Sequence, residues 1–257
     1  MKKLFKRFIM TVGFFTTIRV PFIEWNEEDN KYMPIFIPLI GVVIALFLYV
    51  VILLIDYLNF SSLFGSMLIV VFFIFITGGL HLDAFMDTCD AHFSRRDIPK
   101  KLLIMKDSNI GAFAAVYLFV LLCSKLVIIN EIIIQNKLTL VILLIPIISR
   151  LFQSILLLNT KFAKEDSLAS MYGKLNKKYQ VYFILYFILV VTFGFIINQI
   201  YITIFMILIA LIYLFIYRKF ALKQFGGITG DIIGAYIEIT EVLLFLGVLI
   251  YDFLPLW

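Results

Sequence analysis

From residue 35 onward the chain is dominated by long runs of Ile, Leu, Val and Phe, separated by short polar stretches. The runs lack the alternation of a barrel strand. Backbone groups in lipid must find partners within their own segment, so each run reads as helix. With about 17–25 apolar residues to a crossing, the pattern predicts seven spans: Ile35–Ile55, Leu63–Thr77, Gly111–Ile134, Leu138–Leu158, Tyr179–Ile197, Ile200–Tyr217 and Asp231–Tyr251. The second is short and is expected to continue as helix into the polar stretch that follows it. Phe8–Ile23 is also apolar, but crossing would carry Lys2, Lys3, Lys6 and Arg7 to the wrong side. Residues 1–34 are therefore expected to lie at the interface or re-enter, within a single membrane-embedded domain over 1–257. Arg19-Val20-Pro21 interrupts the run and no small-residue cleavage site follows, which argues against a removable signal peptide.

Composition sharpens the class. Of 257 residues 63% are hydrophobic, 28 are Phe and only 15% are charged. No soluble domain of this size hides so much apolar surface in one core. The expected fold class is all-α, a polytopic integral membrane protein with about seven transmembrane helices. The net charge of +5 comes from loops, so it is no nucleic-acid signature. Lys2, Lys3, Lys6, Arg7, Arg19 and Lys31 precede the first span, and Arg95, Arg96, Lys100, Lys101 and Lys106 follow the second. Lys161, Lys164, Lys174, Lys177 and Lys178 follow the fourth, and Arg218, Lys219 and Lys223 the sixth. Lys137 stands alone on the other side. The positive-inside rule then puts the N-terminus, the long loops and the acidic clusters on the cytoplasmic side, and the C-terminus outside. Cys89 and Cys123 have no metal-ligand spacing and no evident disulfide partner.

The stretch GGLHLDAFMDTCDAHFSRR, Gly78 to Arg96, breaks the apolar pattern. On a helix Asp83, Asp87 and Asp90 fall at about 0°, 40° and −20°, one narrow stripe, with roughly 10 Å of rise from first to last. Three carboxylates so placed repel one another unless a cation lies among them. Neighbouring pairs can share an ion, and hard oxygen ligands favour Mg²⁺, Mn²⁺ or Ca²⁺. His81 and His92 fall opposite the stripe and read as packing or surface residues.

A second acidic element, GGITGDIIGAYIEITE, opens the last span. Asp231 and Glu238, seven residues apart, again share a stripe, and Glu241 extends it. GGLHLD and GGITGD share the spacing Gly-Gly-apolar-x-x-Asp, suggesting two helices that face a common ion site with matching acidic surfaces. Thr229 or Asp231 also suits an N-cap. In KKLLIMKDSNIG, Lys106 with Arg95 and Arg96 offers positive charge suited to phosphate, while Asp107 and Ser108 either cap the third span or join the site. Lys125 and Arg150 lie inside spans, where charge is expensive, and are expected to pair with an acid or to bind substrate.

Carboxylates able to hold a divalent metal beside Lys and Arg suit group transfer at a diphosphate. GGLHLDAFMDTCDAHF, IMKDSNIGAF and GGITGDIIGAYIEITE together resemble the cobalamin synthase family (adenosylcobinamide-GDP ribazoletransferase), as do FFTTIRVPF and YMPIFIPLIGVVIA near the N-terminus. The resemblance implies a Mg²⁺-dependent membrane transferase of the phosphotransferase class, in a bacterial cytoplasmic (inner) membrane. It would join adenosylcobinamide-GDP to α-ribazole or its 5′-phosphate and release GMP. Carried onto this chain, Asp83, Asp87 and Asp90 are catalytic and hold metal with Asp231 and Glu238. Arg95, Arg96, Lys106, Asp107, Ser108, Thr229 and Glu241 contact substrate. The family pattern has Gly where Ala84 and Ala91 stand and often Arg in place of Asn109. CDP-alcohol phosphotransferases and intramembrane prenyltransferases share the diphosphate logic but not these motifs. A divalent-cation transporter would need acids at mid-bilayer in several spans.

Overall fold

The computed structural model describes residues 2–24, 26–164, 170, 175 and 177–253; Lys174 of the basic loop lies outside them. Among the described residues the architecture is helical, with one isolated parallel bridge, Phe162 to Ile228. In chain order the helices are α1 (Lys2–Phe15), α2 (Glu27–Asn30), α3 (Met33–Tyr57), α4 (Ser62–Thr77), α5 (Leu80–Phe93), α6 (Ile98–Ile104), α7 (Ala112–Ile134), α8 (Leu144–Asn159), α9 (Val181–Ile196), α10 (Ile200–Phe225) and α11 (Gly230–Ile250).

Every predicted span coincides with a helix, but the helices differ in their capacity to cross a bilayer. Among the described residues five segments are long and apolar enough: α3, α7, α8 with the 3₁₀ turn before it, α10, and α11 with its C-terminal turn. The α4–α5 pair qualifies as a sixth only when taken together, and α9 is a shorter apolar helix. The outward faces carry Leu46, Val50, Phe119, Ile188, Ile212 and Phe215 exposed, as expected of helices whose solvent on that side is lipid.

The expected continuation of the second span is overturned. Gly78 and Gly79 have φ of +64° and +76°, a left-handed pair that side-chain-bearing residues rarely adopt. The chain turns there by 91°, so α5 runs across the end of α4 instead of prolonging it. Thr17 reinforces the corner: its N–H and its hydroxyl donate to the Ile76 and Phe75 carbonyls, each at 2.9 Å.

Helix α11 is the hub, packed against α5, α7, α8 and α10. Gly234 lets α5 approach closely, since a Cβ there would collide with the Ala84 methyl. Deeper along α11, a buried four-charge cluster joins three helices. Lys125 of α7 bonds Glu238 at 2.5 Å and Glu241 at 3.0 Å, and Arg150 of α8 pairs with the other Glu241 oxygen. Two positive and two negative charges cancel, which meets the condition under which such groups persist in an apolar interior. Removing one member leaves the rest uncompensated. Glu241→Ala is expected to cost about 3–5 kcal/mol, and Lys125→Met combined with Glu238→Met less than the sum of the two single changes. Thermal unfolding in detergent measures both.

At the N-terminus, Asp29 accepts hydrogen bonds from Lys6 and Arg7, each at 2.8 Å, and Arg7 stacks over Tyr32. Burial alone would raise the Asp29 carboxyl, but the bonds from Lys6, Arg7 and Asn26 outweigh it and hold its pKa at about 2. The clasp therefore contributes fully above the ordinary carboxylate value and is lost as pH falls from there through about 2. Limited proteolysis of residues 2–24 should accelerate over that window in the wild type, and already at neutral pH in Asp29→Asn.

Candidate active site

Two neighbouring cavities lie along α5, and Asp83, Met105 and Lys106 line both. The smaller, about 320 Å³, has Asp83, Asp87 and Asp90 on one wall and Lys106, Asp107 and Ser108 on the other. The larger, about 340 Å³, continues past Asp83 to Thr229 and Asp231 at the start of α11, then inward to His81, Gln153 and a group of apolar side chains.

The three aspartates keep the common face that the sequence predicted, but they are not equivalent. Asp83 is exposed and Asp87 half-buried, and both are open to the cavity. Asp90 is already engaged: one oxygen accepts the Gly111 N–H at 2.7 Å and the other the Ala114 N–H at 2.9 Å. These amides belong to the start of α7, so Asp90 supplies from a different helix the cap that Gly111 cannot provide for itself. Asp107 closes an Asx turn by accepting from the Asn109 backbone and side-chain amides, and Ser108 follows it on the cavity wall. Thr229 caps α11 by accepting the Ile232 N–H at 3.2 Å, leaving Asp231 aimed at the cavity shared with Asp83.

Other expected site residues lie elsewhere. Glu238 and Glu241 are committed to Lys125 and Arg150 in the buried cluster, because charges that deep are stable only when paired. The matching acidic faces therefore meet only at the Asp231 end. Arg95 and Arg96 sit exposed in the turn between α5 and α6 and line neither cavity. Among the described residues no three Asp, Glu, His or Cys side chains converge closely enough to hold a metal by themselves.

Three residues that the sequence left aside do line the larger cavity: Lys164, His81 and Gln153. The Phe162–Ile228 bridge draws residues 161–163 onto the turn before α11, with the Ile228 N–H bonding the Lys161 carbonyl and the Ala163 N–H the Ile228 carbonyl. Lys164 thereby comes beside Lys106; desolvation and then the Lys106 charge pull its pKa below the ordinary value. Two ammonium groups side by side facing three carboxylates create a site that attracts anion and cation together. The only hint in the sequence was the general excess of Lys in that loop. His81 lies opposite the aspartates on the helical wheel, yet the cavity wraps around the first turn of α5 and reaches it.

The profile of the Cobalamin-5-phosphate synthase family matches residues 7–249. The chain belongs to this family. A relative from Clostridium botulinum (strain Alaska E43 / Type E3), named adenosylcobinamide-GDP ribazoletransferase, is 38% identical over 244 residues, 94% of this chain and 96% of its own. Relatives of the same name from Clostridioides difficile (strain 630) and Geobacillus sp. (strain WCH70) are each 33% identical, over 258 and 251 residues. For the first of these the match covers 96% of this chain and 99% of the relative, and for the second 94% of each. No solved structure matches. The Ala84 methyl is accommodated by Gly234 across the helix interface.

The division of labour among the aspartates is measurable. Asp90→Ala removes an N-cap and should cost about 1 kcal/mol of stability, whereas Asp87→Asn should leave stability unchanged or raise it by relieving like-charge repulsion. Unfolding midpoints of the two variants in the same detergent distinguish these roles.

Proposed function

We propose that this chain transfers the adenosylcobinamide phosphate group from adenosylcobinamide-GDP to α-ribazole or α-ribazole 5′-phosphate, giving adenosylcobalamin or its 5′-phosphate and GMP. The observation that carries this reading is the cleft in which Asp83, Asp87 and Asp231 face Lys106 and Lys164, in a chain whose relatives bear the name of that activity. The ammonium groups of Lys106 and Lys164 bind the diphosphate and stabilise the charge that gathers on the departing GMP. The acceptor hydroxyl attacks the cobinamide-side phosphorus, the bond to the GMP oxygen breaks, and the hydroxyl proton passes to a carboxylate. Asp83 and Asp87 are suited to take it, since both Asp90 oxygens are held by α7. Asp90 then positions the Lys106–Ser108 loop and α7 against the cleft.

Mg²⁺ fits this donor set. Mg²⁺ commonly uses only one or two carboxylates together with substrate phosphates, so a site lacking three convergent side chains is no obstacle. Asp83 and Asp87, with Asp231 nearby, would hold it, and it would supply charge neutralisation at the diphosphate. The positive-inside distribution supports a multi-pass protein of the bacterial cytoplasmic membrane with seven crossings, the α4–α5 pair among them. It also supports an N-terminus and cleft on the cytoplasmic side, and the packing of α5, α7, α8 and α10 around α11 supports a single transferase domain.

Reconstituted protein supplied with both substrates should form GMP and the corrinoid product in equal amounts, and chelation of Mg²⁺ should stop it. Asp87→Asn should lower kcat by at least about 10²-fold, the scale of a lost proton acceptor, while Lys106→Met should mainly raise KM for adenosylcobinamide-GDP. Normal turnover by Asp87→Asn would remove that residue from the reaction.

A further inference from the structure

The inner end of the larger cavity has a different character from its mouth. Phe14 and Phe15 of α1 pack edge to face with ring centroids 4.8 Å apart, and the His81 ring lies 6.2 Å from Phe15. Ile37 of α3 and Leu157 of α8 close the apolar wall. One amide enters this lining: Gln153 of α8, 3% exposed, whose Oε1 is buried with no donor among the described residues. Leaving such an oxygen unsatisfied in an apolar surround is costly, and a Gln held at a cavity wall is poised to satisfy it with a ligand.

We infer that this inner end is the seat of the acceptor nucleoside, with the planar base of α-ribazole between the aromatic and aliphatic walls and the Gln153 carboxamide as its polar anchor. The assignment rests on the reaction proposed above. Of the two substrates, adenosylcobinamide-GDP carries a guanine and an adenine, each with several donors and acceptors along its edge. One amide and one imidazole among Phe, Ile and Leu would leave most of those unmatched. A benzimidazole presents flat apolar faces and a single ring-nitrogen acceptor, and its ribose supplies hydroxyl donors. A carboxamide answers both, its N–H to the ring nitrogen and its oxygen to a hydroxyl. The volume of about 340 Å³ is of nucleoside size, near the lower bound for small-ligand sites, and well short of a corrin ring. Because the same cavity reaches Asp83, Asp231 and Lys106, a nucleoside bound by its base presents its sugar toward the carboxylates.

The test compares reconstituted wild type with Gln153→Met, a near-isosteric change that removes the amide and leaves the wall filled. KM for α-ribazole 5′-phosphate should rise about tenfold, the scale of one lost hydrogen bond with its partner left unpaired, while KM for adenosylcobinamide-GDP stays within about twofold. Wild-type turnover with an unchanged nucleotide KM in the variant, or a shift confined to adenosylcobinamide-GDP, overturns the pocket and leaves the reaction standing. Absence of wild-type turnover on intact substrates overturns both. Should Gln153→Met not fold, photolysis of wild type with an azidobenzimidazole α-riboside phosphate decides the matter. Adducts on Phe14, Phe15 or Leu157 support the assignment, and adducts confined to residues 105–110 overturn it.

Discussion

A charge in hydrocarbon must be cancelled where it stands, and in this protein that requirement fixes the rotation of the central helix. Lys125 and Arg150 hold Glu238 and Glu241 between α7 and α8. Asp231 lies seven residues before Glu238, on nearly the same side of α11. Once Glu238 is locked inward, the azimuth of Asp231 is no longer free, and it is delivered to the cavity that Asp83 also lines. The ion cluster lines neither cavity, yet it sets the orientation on which the cleft depends.

The second determinant is the corner at Gly78 and Gly79. A continuous α4–α5 helix would stack the three aspartates along the bilayer normal. The 91° turn lays them along a cleft, where the Lys106–Ser108 loop and Lys164 close from the opposite wall. Asp90 ties this geometry to α7 through two backbone amides. The result is a groove with acid on one side, ammonium groups on the other, and an apolar inner end. The diphosphate and the flat, weakly polar base of the proposed reaction ask for such opposed surroundings.

Much of this was legible in the sequence because it follows from local spacing. Unbroken apolar runs gave helices at all seven expected places, and helical periodicity put Asp83, Asp87 and Asp90 on one face. Depth was not legible. Asp231 and Glu238 share a stripe, but only the packing of α7 and α8 against α11 reveals that one ends in a cavity and the other in an ion pair. Arg95 and Arg96 adjoin the aspartates in sequence and still point away, because the chain turns through a positive φ of 54° at Arg95.

The sequence by itself determined the helical class, the membrane environment and the aspartate face, since hydrophobic run length and the 3.6-residue period depend on neighbours along the chain. Which carboxylates stay open, which cap a helix and which neutralise buried cations was decided only by tertiary structure. So was the arrival of Lys164, His81 and Gln153 at one cavity from a loop, a helix start and a mid-membrane helix. Those outcomes depend on helix crossing, rotation and burial, where groups remote in sequence meet and the cost of leaving any of them unpaired selects the arrangement.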